Sequence, residues 1–373
     1  MPDRPGPVKQ SRLLSRLDVE IAAARTATEA DCKRAERACY LARTGRIAEA
    51  QAVVDQLHQR YGQRPHIEVS VWVHLAEGLI GHFSEVDPSS RQKIQRAKAL
   101  CFASGLARMQ GLTCAWLASM EYSRHNFDGM FAEVEGALSF AARDNHSVRA
   151  RVALVVARAV HLAGRVDLAR PWYDRVRIHT LPDGDDATTS ALMHGMASLH
   201  GALLRQSAMG GLAIVRESET ALISAESNRR YDELNRVVSL PALEPLLRAQ
   251  IHSLKGNFTE AARLYEQHLG ALSMRGTLRL QSDLISDRAW CWVNLGMHER
   301  ALVDANAALD QFVEDTQIDD RAATHSRVSQ VFKVLGDADR AEHHAEQARQ
   351  AWKAFGSLQA SVLKQLPQIA ELW

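Results

Sequence analysis

The sequence predicts an all-α protein, an α-solenoid of about eight helix–turn–helix hairpins that ends in a C-terminal capping helix. The first observation is a short motif that returns every 40 residues, as Gly256–Ala261, Gly296–Ala301 and Gly336–Ala341. A fixed period of this size is typical of repeat architectures, in which similar units stack along one axis. The second observation is that apolar residues with helical spacing flank each motif. Together they indicate stacked pairs of helices.

The unit around Gly256 explains how each hairpin is built. The apolar residues from Leu243 to Leu254 recur at i, i+3 and i+4, which places them on one face of a helix, and Ala261 to Leu269 repeat the pattern. Glycine ends the first helix because it adopts the left-handed backbone conformation without a Cβ clash. Alanine at the fifth position after the glycine is small, so the two helices can approach closely. Because one hairpin cannot bury its apolar face alone, neighbouring hairpins must stack.

The first half of the chain accounts for four hairpins. Residues 1–12 are expected to form a disordered tail, and a lead helix follows over about Leu13–Arg25. The second turn is expected to begin at Gly81 and to be long. In the third turn, Asn126 or Gly129 is expected to supply the unusual backbone angle. The four predicted turns lie near residues 45, 81, 125 and 164.

The second half accounts for the other four hairpins and the end of the solenoid. The fifth hairpin is the least regular, with long helices expected around Ala187–Gln206 and Leu212–Asn228 and a longer connection over Asn228–Pro241. A final helix over 357–372 is expected to cap the stack. Residues 13–373 therefore form a single solenoid domain in this prediction. The remaining turns lie near residues 210, 256, 296 and 336.

The hairpins resemble the tetratricopeptide repeat (TPR) family, with Gly and Ala at the turn and aromatic residues such as Tyr265, Trp292 and Phe332 nearby. The period near 40 is longer than the usual 34 residues of that family. It is similar to the longer-helix variety in the sensor domain of bacterial maltose-regulon activators. The resemblance implies a right-handed superhelix with a concave groove, lined mainly by the first helix of each hairpin.

Composition and charge indicate a cytoplasmic protein. The formal net charge of +1 gives no electrostatic footprint for direct nucleic-acid binding or for an acidic membrane surface. The sequence has no 18-residue apolar run and no secretory signal pattern, so we expect no membrane contact. The cysteines are odd in number and contain no close CxxC pair, which favours buried, reduced thiols. They are Cys32, Cys39, Cys101, Cys114 and Cys291.

The sequence carries no motif that predicts catalysis, and we expect neither an enzyme nor a cofactor. It has no His-Glu-x-x-His and no Cys-x-x-Cys partnered by His, although it contains 16 histidines. His343 and His344 are neighbours that point to different sides of a helix, so they predict no metal site. No Gly-rich phosphate loop and no Gly-x-Ser-x-Gly elbow are present.

The groove is the remaining place for function. The TPR hairpin register implies that ten polar or aromatic side chains face inward, and Arg and Trp are the favoured anchors of binding hot spots. The first three could also hold a carboxylate or phosphate, because Arg offers a planar fork of donors. Trp116 and Tyr122 are assigned to the core, with the groove as the alternative. The ten candidates are Arg151, Arg158, His161, Gln250, Asp287, Trp290, Asn294, Arg327, Gln330 and Lys333.

Two hypotheses for function remain open. The first is a non-enzymatic interaction module, a scaffold or adaptor that holds a peptide or a partner protein in its groove. The second is a regulatory domain that senses a small molecule or a peptide and acts on a transcription or signalling partner. Trp373 and the apolar final helix are expected to cover the last hairpin, with a homodimer contact as the alternative.

Overall fold

The predicted all-α solenoid is confirmed by the computed structural model, which describes residues 11–85, 87, 89–211, 215–238, 243–272, 280–314 and 316–373. A lead helix, α1 (Arg12–Ala22), precedes eight helical hairpins. The tail predicted over residues 1–12 lies outside the described residues, except for Ser11 and Arg12. Ser11 caps α1 through its hydroxyl, which accepts from the Leu14 amide.

The hairpins follow in chain order, and each pairs a first helix with a second one. Hairpins one to four are α2 (Ala27–Arg43) with α3 (Ile47–Tyr61), α4 (Ile67–Glu85) with α5 (Ser89–Ala103), α6 (Ala107–Ser123) with α7 (Phe127–Phe140), and α8 (His146–Leu162) with α9 (Val166–Asp183). Hairpins five to eight are α10 (Asp186–Met209) with α11 (Val215–Asn235), α12 (Leu243–Leu254) with α13 (Phe258–His268), α14 (Gln281–Asn294) with α15 (His298–Asp310), and α16 (Ile318–Val334) with α17 (Ala338–Leu372).

The regular turns depend on a left-handed residue between the two helices. Gly256, Gly296 and Gly336 have φ between 74° and 82°, a conformation that a Cβ would strain. In the third turn this residue is His125, with φ of 53°, and not Asn126 or Gly129 as predicted. Asn126 instead caps α7, because its side-chain oxygen accepts from the Gly129 amide at 3.2 Å.

The alanines that follow these turns are buried at the helix crossing. The small side chain lets the second helix pack closely on the first, as the motif predicts. The members of this set are Ala50, Ala169, Ala261, Ala301 and Ala341.

The second turn differs from the prediction, because α4 continues through Gly81 to Glu85. A Cβ on Gly81 would lie 2.7 Å from the Ser90 hydroxyl, and one on Gly78 would lie 2.6 Å from Ile94 Cγ1. These glycines therefore serve close packing of α4 on α5 and do not form the turn. The helix α5 begins after Asp87, whose carboxylate accepts from the Ser89 amide at 2.9 Å.

The fifth hairpin has longer helices than the sequence indicates. The helix α10 continues to Met209 and α11 continues to Asn235. The connection expected over Asn228–Pro241 is therefore mostly helical, and residues 239–242 lie outside the described part of the chain.

The C-terminal segment 357–372 is helical, but it is continuous with the rest of α17, and Gly356 lies inside that helix. Phe355, Val362 and Ile369 recur every seven residues on one face and are buried in the same core as α7, α8 and α9. This half of α17 therefore covers hairpins three and four rather than the last hairpin. The Trp373 indole packs against Trp172 at 5.3 Å between ring centroids, within the same chain.

Two features are absent from the described ranges. No helix there combines the length and the apolar composition that crossing a bilayer requires. The same ranges contain no group of three or more His, Cys, Asp or Glu side chains arranged to hold a metal ion.

Candidate functional site

The first helices of hairpins one to six surround a cavity of about 1230 Å³. The helices α10 and α11 contribute the most lining residues, and the others come mainly from α1, α2, α4, α6, α8 and α12. Aromatic, cationic, acidic and amide groups all contribute to its walls. The residues that the description below uses are Tyr40, Arg43, Trp116, Arg151, Arg158, Ala191, His194, Asn228, Asp232 and Glu244.

Arg151 of α8 is a buried cation in the cavity wall that packs against an aromatic ring. Its guanidinium carbon lies 3.3 Å from the ring centroid of Trp116 on α6. The side chain is only 6% exposed, and its Nε is buried with no hydrogen-bond partner among the described residues. Burial, together with the nearby positive charge of Arg43, holds the pKa of the Arg151 guanidinium well below its ordinary value.

Arg158 lies seven residues further along α8, so two helical turns bring it to the same face as Arg151. Its guanidinium carbon lies 4.6 Å from the Tyr122 ring centroid, and its Nε is also buried without a partner in the described residues. Gly195 of α10 leaves room for this side chain, because a Cβ there would lie 3.3 Å from Arg158 Cδ. Burial and the charge of Arg158 lower the pKa of neighbouring His194 to about 4, so His194 is neutral at pH 7.

Arg43 of α2 also lies near the Trp116 ring, but its guanidinium has hydrogen-bond partners. Its Nη2 donates to both carboxylate oxygens of Asp185, at 2.7 and 2.8 Å, and to the Thr188 hydroxyl. Asp185 also caps α10 by accepting from the Thr188 amide at 3.0 Å. The guanidinium carbon of Arg43 lies 5.7 Å from the Trp116 ring centroid. Arg43 and Asp185 therefore neutralise each other.

A second wall of the cavity, on α11 and α12, presents acceptor groups. Asn228 Oδ1, Asp232 Oδ1 and Glu244 Oε1 are buried with no hydrogen-bond partner among the described residues. Burial raises the pKa of both Asp232 and Glu244. The cavity thus has a cationic wall on α8 and a wall of acidic and amide groups on α11 and α12.

Of the three candidates predicted on α8, two line the cavity and one does not. Arg151 and Arg158 line the cavity, whereas His161 lies outside its lining. The His161 side chain is buried against α9, where its Nδ1 is 2.9 Å from the Tyr173 hydroxyl. Burial lowers the pKa of His161 to about 4, so it is a neutral core residue.

Four other candidates belong to a buried network between hairpins five and eight, and the prediction that they face an open groove is corrected. Arg205 donates to Asp283 at 2.6 Å and to Asp287 at 2.9 Å, and Arg327 donates to Asp287 at 2.8 Å. Gln250 reaches both carboxylates at 3.4 Å. Gln330 accepts from Arg327 at 2.9 Å. Asp287 is 1% exposed, so these charges stabilise the stacking of hairpins.

The last three candidates do not form a site with the others. Trp290 is half-buried beside the core of hairpins six to eight, with the Arg327 guanidinium 5.4 Å from its ring centroid. Asn294 is exposed and donates to the Trp290 carbonyl. Lys333 is exposed on α16.

Sequence reasoning missed most of the cavity wall. Trp116 was assigned to the core, and its contact with Arg151 shows that it belongs to both the core and the cavity. The residues on α10 and α11 come from the least regular hairpin, where no repeat register could place them. The available signal was the length of those helices, which exceeds that of the regular repeats.

Comparisons with known proteins support the fold alone. No family model matches the chain, and no curated protein matches its sequence. A solved structure of similar fold is a crystal structure of a Rap protein complexed with competence and sporulation factor. It aligns with a TM-score of 0.54 at 9% identity, over 91% of this chain and 99% of the Rap chain. The chain therefore has a TPR-like helical-repeat fold, and its similarity to maltose-regulon sensor domains stays a prediction.

Proposed function

We propose that this protein is a non-enzymatic helical-repeat binding protein that holds a peptide in its central cavity. The observation that carries the proposal is the set of buried polar atoms without partners on the cavity wall. Arg151 Nε and Arg158 Nε are donors without a hydrogen bond, and Asn228 Oδ1, Asp232 Oδ1 and Glu244 Oε1 are acceptors without one. Buried polar groups in folded proteins are nearly always hydrogen-bonded. Exceptions also occur elsewhere in the described residues, such as Tyr265 Oη and Ser282 Oγ, but five of them line this one cavity, and we infer that a ligand supplies their partners.

The size of the cavity favours a peptide over a small molecule. Small-molecule sites occupy about 300–1,000 Å³. This cavity has about 1230 Å³ and carries charges of both signs, amides and aromatic rings. A peptide presents the same mixture, because its backbone donates and accepts while its side chains and termini carry charge.

The structural comparison adds a consistent precedent. The Rap protein of similar fold is complexed with competence and sporulation factor, so a fold of this kind can hold a bound factor. We propose that the chain studied here is a peptide-binding scaffold of that general type. The alternative, a domain that senses a small molecule, is an outcome of the experiment below.

The test is affinity selection of random short peptides on the purified full chain, with bound peptides read by mass spectrometry. Ala191→Trp fills the cavity, because Ala191 lines it, and the matched control Ala354→Trp adds the same bulk to an exposed position of α17. We expect the wild type and Ala354→Trp to retain peptides and Ala191→Trp to lose them.

Two results would contradict the proposal. One is that the wild type retains no peptide, and a metabolite mixture retained in its place would favour the small-molecule alternative. The other is that Ala191→Trp retains the same peptides as the wild type while its circular dichroism spectrum and melting temperature show that it is folded.

A further inference from the structure

We propose that the α8 wall of the cavity is an oxyanion subsite, in which Arg151 and Arg158 bind a carboxylate or phosphate group carried by the ligand. This inference rests on the proposed function, since it names the chemical class that the peptide must present. It concerns the two arginines and the aromatic rings beneath them, Trp116 and Tyr122.

A comparison of the buried arginines within this chain is the main support. The described residues include five buried arginines, and four of them have polar partners. Arg43 donates to Asp185, Arg149 to the Ala142 carbonyl, Arg205 to Asp283 and Asp287, and Arg327 to Asp287. Only Arg151, among these described side chains, has neither a hydrogen bond nor an ion pair. The chain thus supplies a carboxylate or carbonyl to its other buried guanidinium groups.

A buried guanidinium without a hydrogen bond is energetically unfavourable, because its charge has left water, and Asp185, the carboxylate whose charge acts on Arg151, is already hydrogen-bonded to Arg43. Packing alone does not account for it, since a Met of similar volume would fill the same space without that cost. A group that arrives with the ligand and carries negative charge would offset the cost only when bound. This makes Arg151 a residue whose native partner comes from outside the chain.

The geometry also fits bidentate recognition of an oxyanion. When a guanidinium lies over an aromatic face, its N–H groups point outward in its own plane and stay available to an acceptor. Arg151 lies over Trp116, and Arg158 lies over Tyr122. Because both rings belong to α6, the two guanidinium groups lie on the same side of α8. Two such guanidinium groups favour a planar carboxylate or a phosphate over a neutral acceptor.

The charges around the subsite leave this role to Arg151 and Arg158. Arg43 is the third guanidinium near Trp116, but Asp185 already neutralises it at 2.7 Å. His194 is neutral at pH 7 and adds no positive charge. The acidic side chains Asp232 and Glu244 belong to the second wall, on α11 and α12, and neither forms an ion pair with the two arginines among the described contacts, since Glu244 pairs with Arg248.

The experiment uses four libraries of short peptides of equal length that differ in one chemical group. The first three are amidated at the C-terminus and contain Glu, phosphoserine or Gln at one shared position. The fourth repeats the Gln library with a free C-terminal carboxylate. We expect wild-type protein to enrich at least one of the three anionic libraries about tenfold or more over the amidated Gln library. The library that is enriched identifies the source of the oxyanion.

The variants assign that preference to residues. Arg151→Met and Arg158→Met are each expected to reduce the enrichment of the anionic library about tenfold, while retention of the amidated Gln library stays unchanged. The matched control is Arg175→Met, because Arg175 lies over Trp172 at 4.2 Å but does not line the cavity. It should keep the full preference. Unchanged retention of the neutral library also shows that each variant is folded.

The outcomes separate this inference from the function on which it rests. If the wild type retains no library, the proposed peptide binding fails. If the wild type retains all four libraries equally, peptide binding stands and the oxyanion subsite is overturned. The subsite is also overturned if both Met variants keep the full anionic preference.

Discussion

The guanidinium carbon of Arg151 lies 3.3 Å from the ring centroid of Trp116, at the wall of the central cavity. The pair joins α8 to α6, which are the first helices of neighbouring hairpins. Arg43 approaches the same indole at 5.7 Å, but Asp185 neutralises its charge. One ring therefore has a paired and an unpaired arginine as neighbours, and this contrast gives the first prediction.

Replacing each of these arginines by Met should affect the free energy of unfolding differently. Arg43→Met leaves the buried carboxylate of Asp185 without its partner, and we expect a loss of about 3 kcal/mol in the free energy of unfolding. Arg151→Met removes a charge that has no partner, so we expect no loss, or a gain of about 1 kcal/mol. Chemical denaturation of the two variants measures this difference. An equal loss in both variants would contradict the description of Arg151 as unpaired.

The buried pair Asp283 and Asp287 should make stability depend on pH. Burial raises the pKa of Asp283, whereas Arg205 and Arg327 outweigh burial and lower the pKa of Asp287. A raised pKa means that the folded state keeps a proton that the unfolded state releases. Stability should therefore fall as pH rises above the ordinary Asp pKa of 3.8.

Asp283→Asn should remove that fall, because the amide does not titrate. Urea unfolding from about pH 4 upward, compared between the wild type and this variant, checks the prediction. The lowered pKa of Asp287 has the opposite effect on the pH dependence. It stabilises the folded protein at higher pH, and this stabilisation is lost as pH falls through the lowered pKa. If the free energy of unfolding changes with pH in the same way in the wild type and in Asp283→Asn, Asp283 is not the group responsible.

The C-terminal half of α17 should be stabilised by its packing against hairpins three and four. Ile369 is 1% exposed in their core, and Ile369→Ala should lower the free energy of unfolding by about 3 kcal/mol. Leu372→Ala is the control, because Leu372 is 47% exposed on the same helix, and it should be nearly neutral. Amide hydrogen exchange in Ile369→Ala should rise in α7 and α8. Faster exchange confined to α16 would indicate that α17 caps the last hairpin instead.

The cysteines should be unreactive in the folded protein. All five are buried as free thiols, and burial raises the pKa of Cys32, Cys114 and Cys291 to about 12. The thiolate is the nucleophile, so native protein at about pH 8 should resist alkylation by iodoacetamide. Protein unfolded in guanidinium chloride is the control and should be labelled at all five positions. Rapid labelling of native protein would show that at least one thiol is accessible.

The regular hairpins could be predicted because their signals are local. Gly296 and Ala301 lie within one turn motif, and each carries out its role without help from distant sequence. The path of α17 could not be predicted in this way. Its Gln359 donates to the Leu162 carbonyl, 197 residues away, and no periodic pattern encodes such a contact.

The candidate site was predicted in part, for a similar reason. The repeat register places Arg151 and Arg158 on an inward face of α8, and both line the cavity in the structure, whereas their role in binding stays a prediction. The same register placed Asp287 and Arg327 inward but could not show that they face each other and Arg205. Whether an inward charge is free or paired depends on the neighbouring hairpin. Arg205 belongs to the irregular fifth hairpin, which the sequence did not align.

The central claim is that the cavity binds a peptide, and photo-crosslinking tests it most directly. A selected short peptide carrying benzoylphenylalanine is irradiated with the full chain, and the modified residues are mapped by mass spectrometry. The account predicts crosslinks to the cavity wall on α6, α8 and α10, near Trp116, Leu154 and Ala191. Crosslinks confined to the exposed apolar side chains of α9, such as Ile178 and Leu181, would contradict it.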